Sequence, residues 1–397
     1  MIKAILLDLD NTLLHDPGVV FAAEYFRLAE DYLSSAWGQN NIANALLASF
    51  KALEGPRDMQ ETNLQTVVEA LCRQTGLPAD WIRAGLAGFY RHVYPQLRAL
   101  AAPVDGAPEL IRFLLESGLA VAITTNPLYP AEAVRLRLEW AGLPDDFNAY
   151  ALVTHAENMH FVKAHPAFYV EAAARIGVEP DEALMVGDHL DSSILAARQV
   201  GLRAYHITGA PIPHPAADAA GTLQDFFSAL RSTNWLDTLT PLPPTPAMIE
   251  PEMQGNIGAL FGTLADAKPH YWQQHPDAHE WSPMQIICHL LESERLVQRA
   301  RLERILAETN PFLVDPTPPG PGGVLSCDDD GFQAARRFTA ERLETLAWLR
   351  ALQPDDWQRT ARHSIFGPTT LLEMAHFTAQ HDRLHINQLC QTLGRCV

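Results

Sequence analysis

The stretch Ala4-Ile5-Leu6-Leu7-Asp8-Leu9-Asp10-Asn11-Thr12 decides how this chain is read. Four apolar residues run without a break into two carboxylates separated by a single leucine. Residues two apart on an extended strand point to the same side, so Asp8 and Asp10 crowd like charges together unless a cation lies between them or one keeps a proton. A pattern that repels itself points to a site rather than to packing.

Moving outward, further apolar runs read as buried strands: LAVAITT ending at Thr125, EALMVGD ending at Asp188, LRAYHIT from Leu202, and a weaker YALVT from Tyr150 to Thr154. Helical patterns such as APELIRFLLESG and AFYVEAAARIG lie between them, each closed by a glycine that suits a helix end. Alternation of strand and helix predicts a parallel sheet covered on both faces. Ligands of such sheets bind at the carboxyl ends of the strands, where Asp8, Thr125 and Asp188 all stand.

One connection is too long. A strand, crossover helix and strand need about 30 residues, yet more than a hundred separate Asp10 from Thr125. The excess, roughly His15 to Leu100, carries four helical stretches and is expected to form an inserted helical cap beside the carboxylates, over a core of about 1–14 and 101–231. From Ser232 the alternation stops, and a proline-rich segment, 232–249, reads as a linker. Four helical candidates follow, about Met253 to Ala267, Ser282 to Thr309, Asp330 to Ala351 and Thr369 to Leu393, with a long loop in the middle. That describes a four-helix bundle with a crossover over 250–397. The expected architecture is therefore α/β, a Rossmann-like parallel sheet with an inserted cap, followed by an all-α bundle.

Composition narrows the functional classes. A length of 397 residues favours two or three domains. A formal net charge of −18 opposes general affinity for nucleic acid or anionic lipid surfaces, and no apolar run approaches the roughly 18 to 20 residues of a membrane span. The amino terminus lacks a secretory layout, so the expected location is cytoplasmic. Five cysteines without a pairing pattern read as reduced, mostly structural thiols.

Four segments now stand in order: DLDNT with Asp8, Asp10 and Thr12; AITTNP with Thr125 and Asn126; FVKAHPAFY with Lys163; and MVGDHLDSS with Asp188 and Asp191. With these motifs residues 1–230 resemble the haloacid dehalogenase superfamily, which is dominated by phosphatases. The resemblance implies Mg2+ held by Asp8, Asp188 and the backbone carbonyl of Asp10, with Lys163 as a second positive charge. Asp8 would then be the nucleophile, Asp10 the acid and base, and Thr125, Asn126 and Lys163 would hold the phosphoryl oxygens. The acid at position 10 favours phosphate esters over carbon–halogen bonds, because family dehalogenases generally lack it. The fourth motif departs from the pattern: Ser192 and Ser193 stand where relatives place a second acid, and Asp191 either reaches a metal-bound water or caps the next helix. Arg57, Arg91 and His92 on the cap are candidate substrate contacts.

The second half carries EWSPMQIICHLLESE with His289 and LLEMAHFTAQHDRLHINQL with His376, His381 and His385. His381 and His385, four apart, share a helix face and can chelate one ion, whereas His376 is turned away. A third ligand must come from another helix, and His289 can supply it. Three neutral imidazoles suit zinc, nickel or ferrous iron. With Trp281-Ser282-Pro283, HDRLH and Gln388, residues 250–393 resemble the DinB-type metal-binding four-helix bundle, which implies a divalent metal on His289, His381 and His385. Glu292, Glu294 and Asp382 are candidate supports for those ligands, and Cys288 reads as packing. DinB-type bundles often pair, so a homodimer is compatible with the chain.

The expectation is a phosphatase of a small phosphate ester fused to a metal-binding bundle. Two alternatives remain: a thiol-dependent transferase or isomerase at the histidine site, and a ligand-sensing binding protein.

Overall fold

The first strand, β1 (Ala4–Leu7), is buried at every residue, as befits a strand covered on both faces. Two short strands, β2 (Leu14–His15) and β3 (Ala102–Pro103), pair antiparallel and bracket the inserted segment. β4 (Ala120–Ile123), β5 (Leu152–Val153), β6 (Ala183–Gly187), β7 (Arg203–Ile207) and β8 (Ala219–Gly221) complete a six-stranded sheet of order β5-β4-β1-β6-β7-β8. Every pairing in it is parallel. Leu7 pairs with both Ile123 and Val186, so the residues that follow β1, β4 and β6 emerge side by side at one edge.

This computed structural model describes residues 1–209, 214–232, 234–314, 327–328 and 330–396. The insert contains α1 (Val19–Trp37), α2 (Ile42–Lys51), α3 (Asn63–Thr75) and α4 (Ala79–His92). α3 starts at a capping box in which Thr62 and Gln65 exchange side-chain and backbone bonds, and it ends at Gly76 in the left-handed region, φ 72°. After β3 come α5 (Ala107–Glu116), α6 (Ala131–Trp140), α7 (Ala167–Arg175), α8 (Ala196–Gln199), α9 (Leu223–Ser232) and α10 (Trp235–Thr238), with a π-helical turn at Leu190–Leu195 leading into α8. Cap and sheet share one core, in which Ile5, Leu7, Ile123 and Val186 join Phe21, Tyr25, Tyr94 and Trp140.

The chain divides into two compact units, Met1–Ala172 with Pro180–Leu242, and Ala173–Glu179 with Pro243–Val397. The second unit holds α11 (Pro246–Leu264), α12 (Pro283–Ser293), α13 (Arg299–Ala307), α14 (Gly331–Arg350) and α15 (Leu371–Arg395). A π-turn at Glu294–Gln298 makes α12 and α13 one continuous helical path, and α11 and α12 each pack on both α14 and α15. Ile249, Met253, Leu302, Leu346, Leu371 and Ala375 lie in its core.

Two features differ from the expected bundle. Its first helix starts at Pro246, inside the segment read as a linker, because proline is well tolerated in a first helical turn. A small sheet of β9 (Phe312–Leu313), β10 (Thr360–His363) and β11 (Gly367–Thr370) accompanies the helices. Of the expected central loop, residues 315–326 and 329 lie outside the described residues. The cysteine expectation is corrected for one pair: Cys288 and Cys327, 39 residues apart, form a disulfide with Cα atoms 5.6 Å apart, within the reach such a bond needs. Cys72, Cys390 and Cys396 are free. Among the described residues no helix is long and apolar enough to cross a membrane.

Candidate active site and candidate metal centre

Asp8 continues the ladder for one residue past β1, its N–H donating to Val186 O at 2.9 Å. Its carboxylate is almost fully used: Leu9 N donates to Oδ1 at 2.8 Å, while Ser193 Oγ, at 3.0 Å, and Lys163 Nζ both donate to Oδ2. Lys163 Nζ also donates to Ser193 Oγ at 2.9 Å. All three side chains are buried, so a lysine placed where water cannot screen it has its charge balanced by Asp8. Asn126 Oδ1 accepts from Lys163 N at 3.2 Å, and Thr125, also buried, accepts at its carbonyl from Thr154 Oγ1 at 2.7 Å. The four sequence segments thus meet at the carboxyl edge of the sheet.

Asp188 leaves β6 beside Asp8, and His206 Nε2 lies 2.9 Å from its carbonyl. Burial, and then the charge of Asp8, push the Asp188 carboxyl above its usual range, with Lys163 pulling the other way. Asp188, driven up in this way beside the Asp8 carboxylate, forms with it an oxygen donor set that a hard cation would relieve, which fits magnesium. Asp191 is exposed. The cap of the following π-turn is His189, whose Nδ1 accepts from Ser192 N at 3.2 Å, so Asp191 does not have the capping role considered for it.

Asp10 has a partner the sequence did not announce. Arg137 of α6 donates through Nη2 to Asp10 Oδ1 and to Asp16 Oδ2, the latter at 2.7 Å, and through Nη1 to Tyr94 Oη at 3.2 Å. Partial burial raises the Asp10 carboxyl from its ordinary value; Arg137 opposes this, and Asp8 and Asp16 add to it. Of the cap candidates, Arg57 donates to the carbonyls of Glu61, at 3.2 Å, and His160, which ties the cap to the loop before Lys163. Arg91 and His92 are exposed. Arg91 lines a crevice of about 280 Å³ with Leu64, Arg83, Tyr90 and Glu157, and no motif residue is among its lining.

The second constellation forms on α12 and α15. His289, His381 and His385 bring one ring nitrogen each to within 4.8 Å of one another, and the Nε2 atoms of His289 and His381 lie 3.4 Å apart. His385 Nδ1 lies 2.8 Å from Gln388 Oε1; a proton held there leaves Nε2 free to ligate. Trp281 stacks on His385, with centroids 5.8 Å apart, and flanks His289. Burial and the neighbouring rings lower His289 to about 3 and His385 to about 4, so both are neutral at pH 7, as a metal ligand must be. His376 pairs with Glu252 at 2.9 Å, apart from the cluster.

Of the candidate supports, Glu292 is exposed, whereas Glu294 and Asp382 are both bound by the fully buried Arg342, each at 2.7 Å. Asp382 alone of these approaches a ligand, with Oδ1 3.9 Å from His381 Nδ1.

Residues 2–201, half of the chain, match the model for haloacid dehalogenase-like hydrolases. The chain belongs to the haloacid dehalogenase-like hydrolases. Similar curated proteins are a glyceraldehyde 3-phosphate phosphatase of Pyrococcus abyssi, 30% identical over 51% of this chain and 80% of the relative, and a phosphoserine phosphatase of Thermus thermophilus, 30% identical over 51% and 87%. A phosphoglycolate phosphatase of Rhodospirillum rubrum is 28% identical over 63% of this chain and 99% of its own. Residues 252–389 of this hydrolase match the model for the DinB superfamily.

Proposed function

We propose that this hydrolase cleaves small-molecule phosphate monoesters through a phosphorylated Asp8. The observation that carries the reading is the Asp8 carboxylate gripped by Lys163 and Ser193 at the carboxyl end of a parallel sheet. A phosphate dianion can approach a carboxylate only where positive charge offsets the repulsion, and Lys163 supplies part of it. Asp8 attacks phosphorus, the bond to the leaving oxygen breaks, and Asp10 delivers the proton that oxygen needs. Asp10 then takes a proton from water, which attacks the aspartyl phosphate, releasing inorganic phosphate and restoring the carboxylate. Thr125 and Asn126, just past the end of β4, orient the phosphoryl oxygens in this reading. Mg2+ held by Asp8, Asp188 and the Asp10 carbonyl would supply further neutralisation of the phosphoryl group.

The phosphate esters in the relatives' names support this reading. The hydrolase part is taken as 1–231 and the bundle as beginning with α11 at Pro246. Phosphate release from a panel of small esters with Mg2+ is expected in the full chain and lost in Asp8→Asn; equal turnover by that variant rejects the mechanism.

For the bundle, the converging neutral rings of His289, His381 and His385 support a divalent transition metal, zinc, nickel or iron, with a coordination position left open. Metal analysis should find about one ion per chain, absent from His385→Ala; an unchanged metal content rejects the site.

A further inference from the structure

Arg137 is among the largest fully buried side chains of the protein, with 1% of its side chain exposed. Its planar head lies over the ring of Phe21 at 4.6 Å and that of Tyr129 at 5.8 Å. A buried guanidinium needs carboxylate partners, and Asp16 already serves: its Oδ1 accepts from Gly18 N at 2.7 Å, and its own N–H donates to Asn11 Oδ1 at 3.1 Å. Tyr94, fully buried, holds the other terminal nitrogen. The arginine is therefore fixed from three sides before Asp10 is considered.

Asp10 is the exception among its partners. Its side chain is 32% exposed, against 9% for Asp16, so one end of the assembly is closed in the core and the other opens beside Asp8. We propose that Arg137 is the positioning residue for Asp10, holding its carboxyl in the orientation from which it serves the leaving oxygen and the attacking water. This rests on the phosphatase reading above. Arg137 does not itself reach the substrate, because aromatic rings cover its face and three oxygens occupy its terminal nitrogens. Among the described residues Arg137 is the cation bonded to Asp10, while the charges of Asp8 and Asp16 lie near it.

The role separates from simple structural support through leaving-group chemistry. Proton delivery matters for an alkoxide and little for nitrophenolate, which departs unaided. The test compares kcat and KM for glycerol phosphate and p-nitrophenyl phosphate, with Mg2+, in the full-length wild type, Asp10→Asn, Arg137→Met, Arg137→Lys and the Asp10→Asn/Arg137→Met double variant. Asp10→Asn is expected to lower kcat on the alkyl ester by roughly 100-fold or more and on the aryl ester far less. Arg137→Met should show the same bias with KM little changed, Arg137→Lys should recover part of it, and the double variant should be no worse than Asp10→Asn.

Equal loss on both esters in Arg137→Met, or losses that multiply in the double variant, overturn the proposal. If Arg137→Met does not fold, the ester bias of Arg137→Lys decides in the same way. A wild type that releases phosphate from neither ester, or an Asp10→Asn variant without ester bias, overturns the phosphatase reading or the acid role of Asp10 instead.

Discussion

Ser193 occupies a position where sequence reasoning saw only a missing acid, and in the fold it touches both Lys163 and Asp8. It takes a hydrogen bond from Lys163 and gives one to Asp8. Removing a partner of a buried charged group costs about 1.5–3 kcal/mol, so Ser193→Ala should lower kcat by roughly tenfold or more while the protein stays folded; unchanged kcat in a phosphate-release assay would reject this. Ser193 is held in turn by its neighbour. A Cβ on Gly187 would lie 2.9 Å from Ser193 Cβ and 3.1 Å from Met185 Cε. Gly187→Ala should therefore overpack the end of β6, costing about 1–3 kcal/mol, and reduce turnover by displacing Ser193; thermal melting and kinetics together check it.

At the scale of elements, the cap is built on close approach of α1 and α4. A Cβ at Gly85 would come within 2.1 Å of Trp37 Nε1, and one at Gly88 within 2.4 Å of Tyr32 Oη. Gly85→Ala is expected to destabilise the chain by about 1–3 kcal/mol, measured as a lower denaturant midpoint; an unchanged midpoint would contradict the packing. These helices were legible because their apolar residues recur with helical period, and β1, β4 and β6 because a doubly covered strand is apolar throughout. α6 was not. Its AVRLRLEW run puts charges at 135, 137 and 139, which hides a helix whose buried set includes Arg137, and the arginine's carboxylate partners lie 127 and 121 residues away. No local pattern reveals such a partner. Strands of two to four residues, β8 to β11, are too short to carry periodicity.

For the whole molecule, the two halves were legible as a change of pattern and the His381–His385 pair from its four-residue spacing, while His289 joined them through the resemblance to DinB-type bundles. The Cys288–Cys327 bond was not legible, because it depends on tertiary approach. The triad gives the chain a predictable response to acid. With His289 near 3 and His385 near 4 in the fold against an ordinary 6.5, the unfolded chain binds protons between those values that the folded chain refuses. The metal-free protein should keep this contribution above about pH 6.5 and lose it progressively toward pH 3, seen as a falling melting temperature; a flat profile in that window would contradict it. Zinc or nickel at 100 times its dissociation constant should add about 2.7 kcal/mol, and His381→Ala should abolish that gain.

The pairing of Leu14 with Pro103 and His15 with Ala102 has one more implication. Adjacent strands run about 5 Å apart, so the long excursion between them departs and returns at neighbouring points, like a drawer on a fixed frame. Its closure entropy grows only with the logarithm of its length. The inserted helices can thus be enlarged or traded at little thermodynamic expense to the strands beneath.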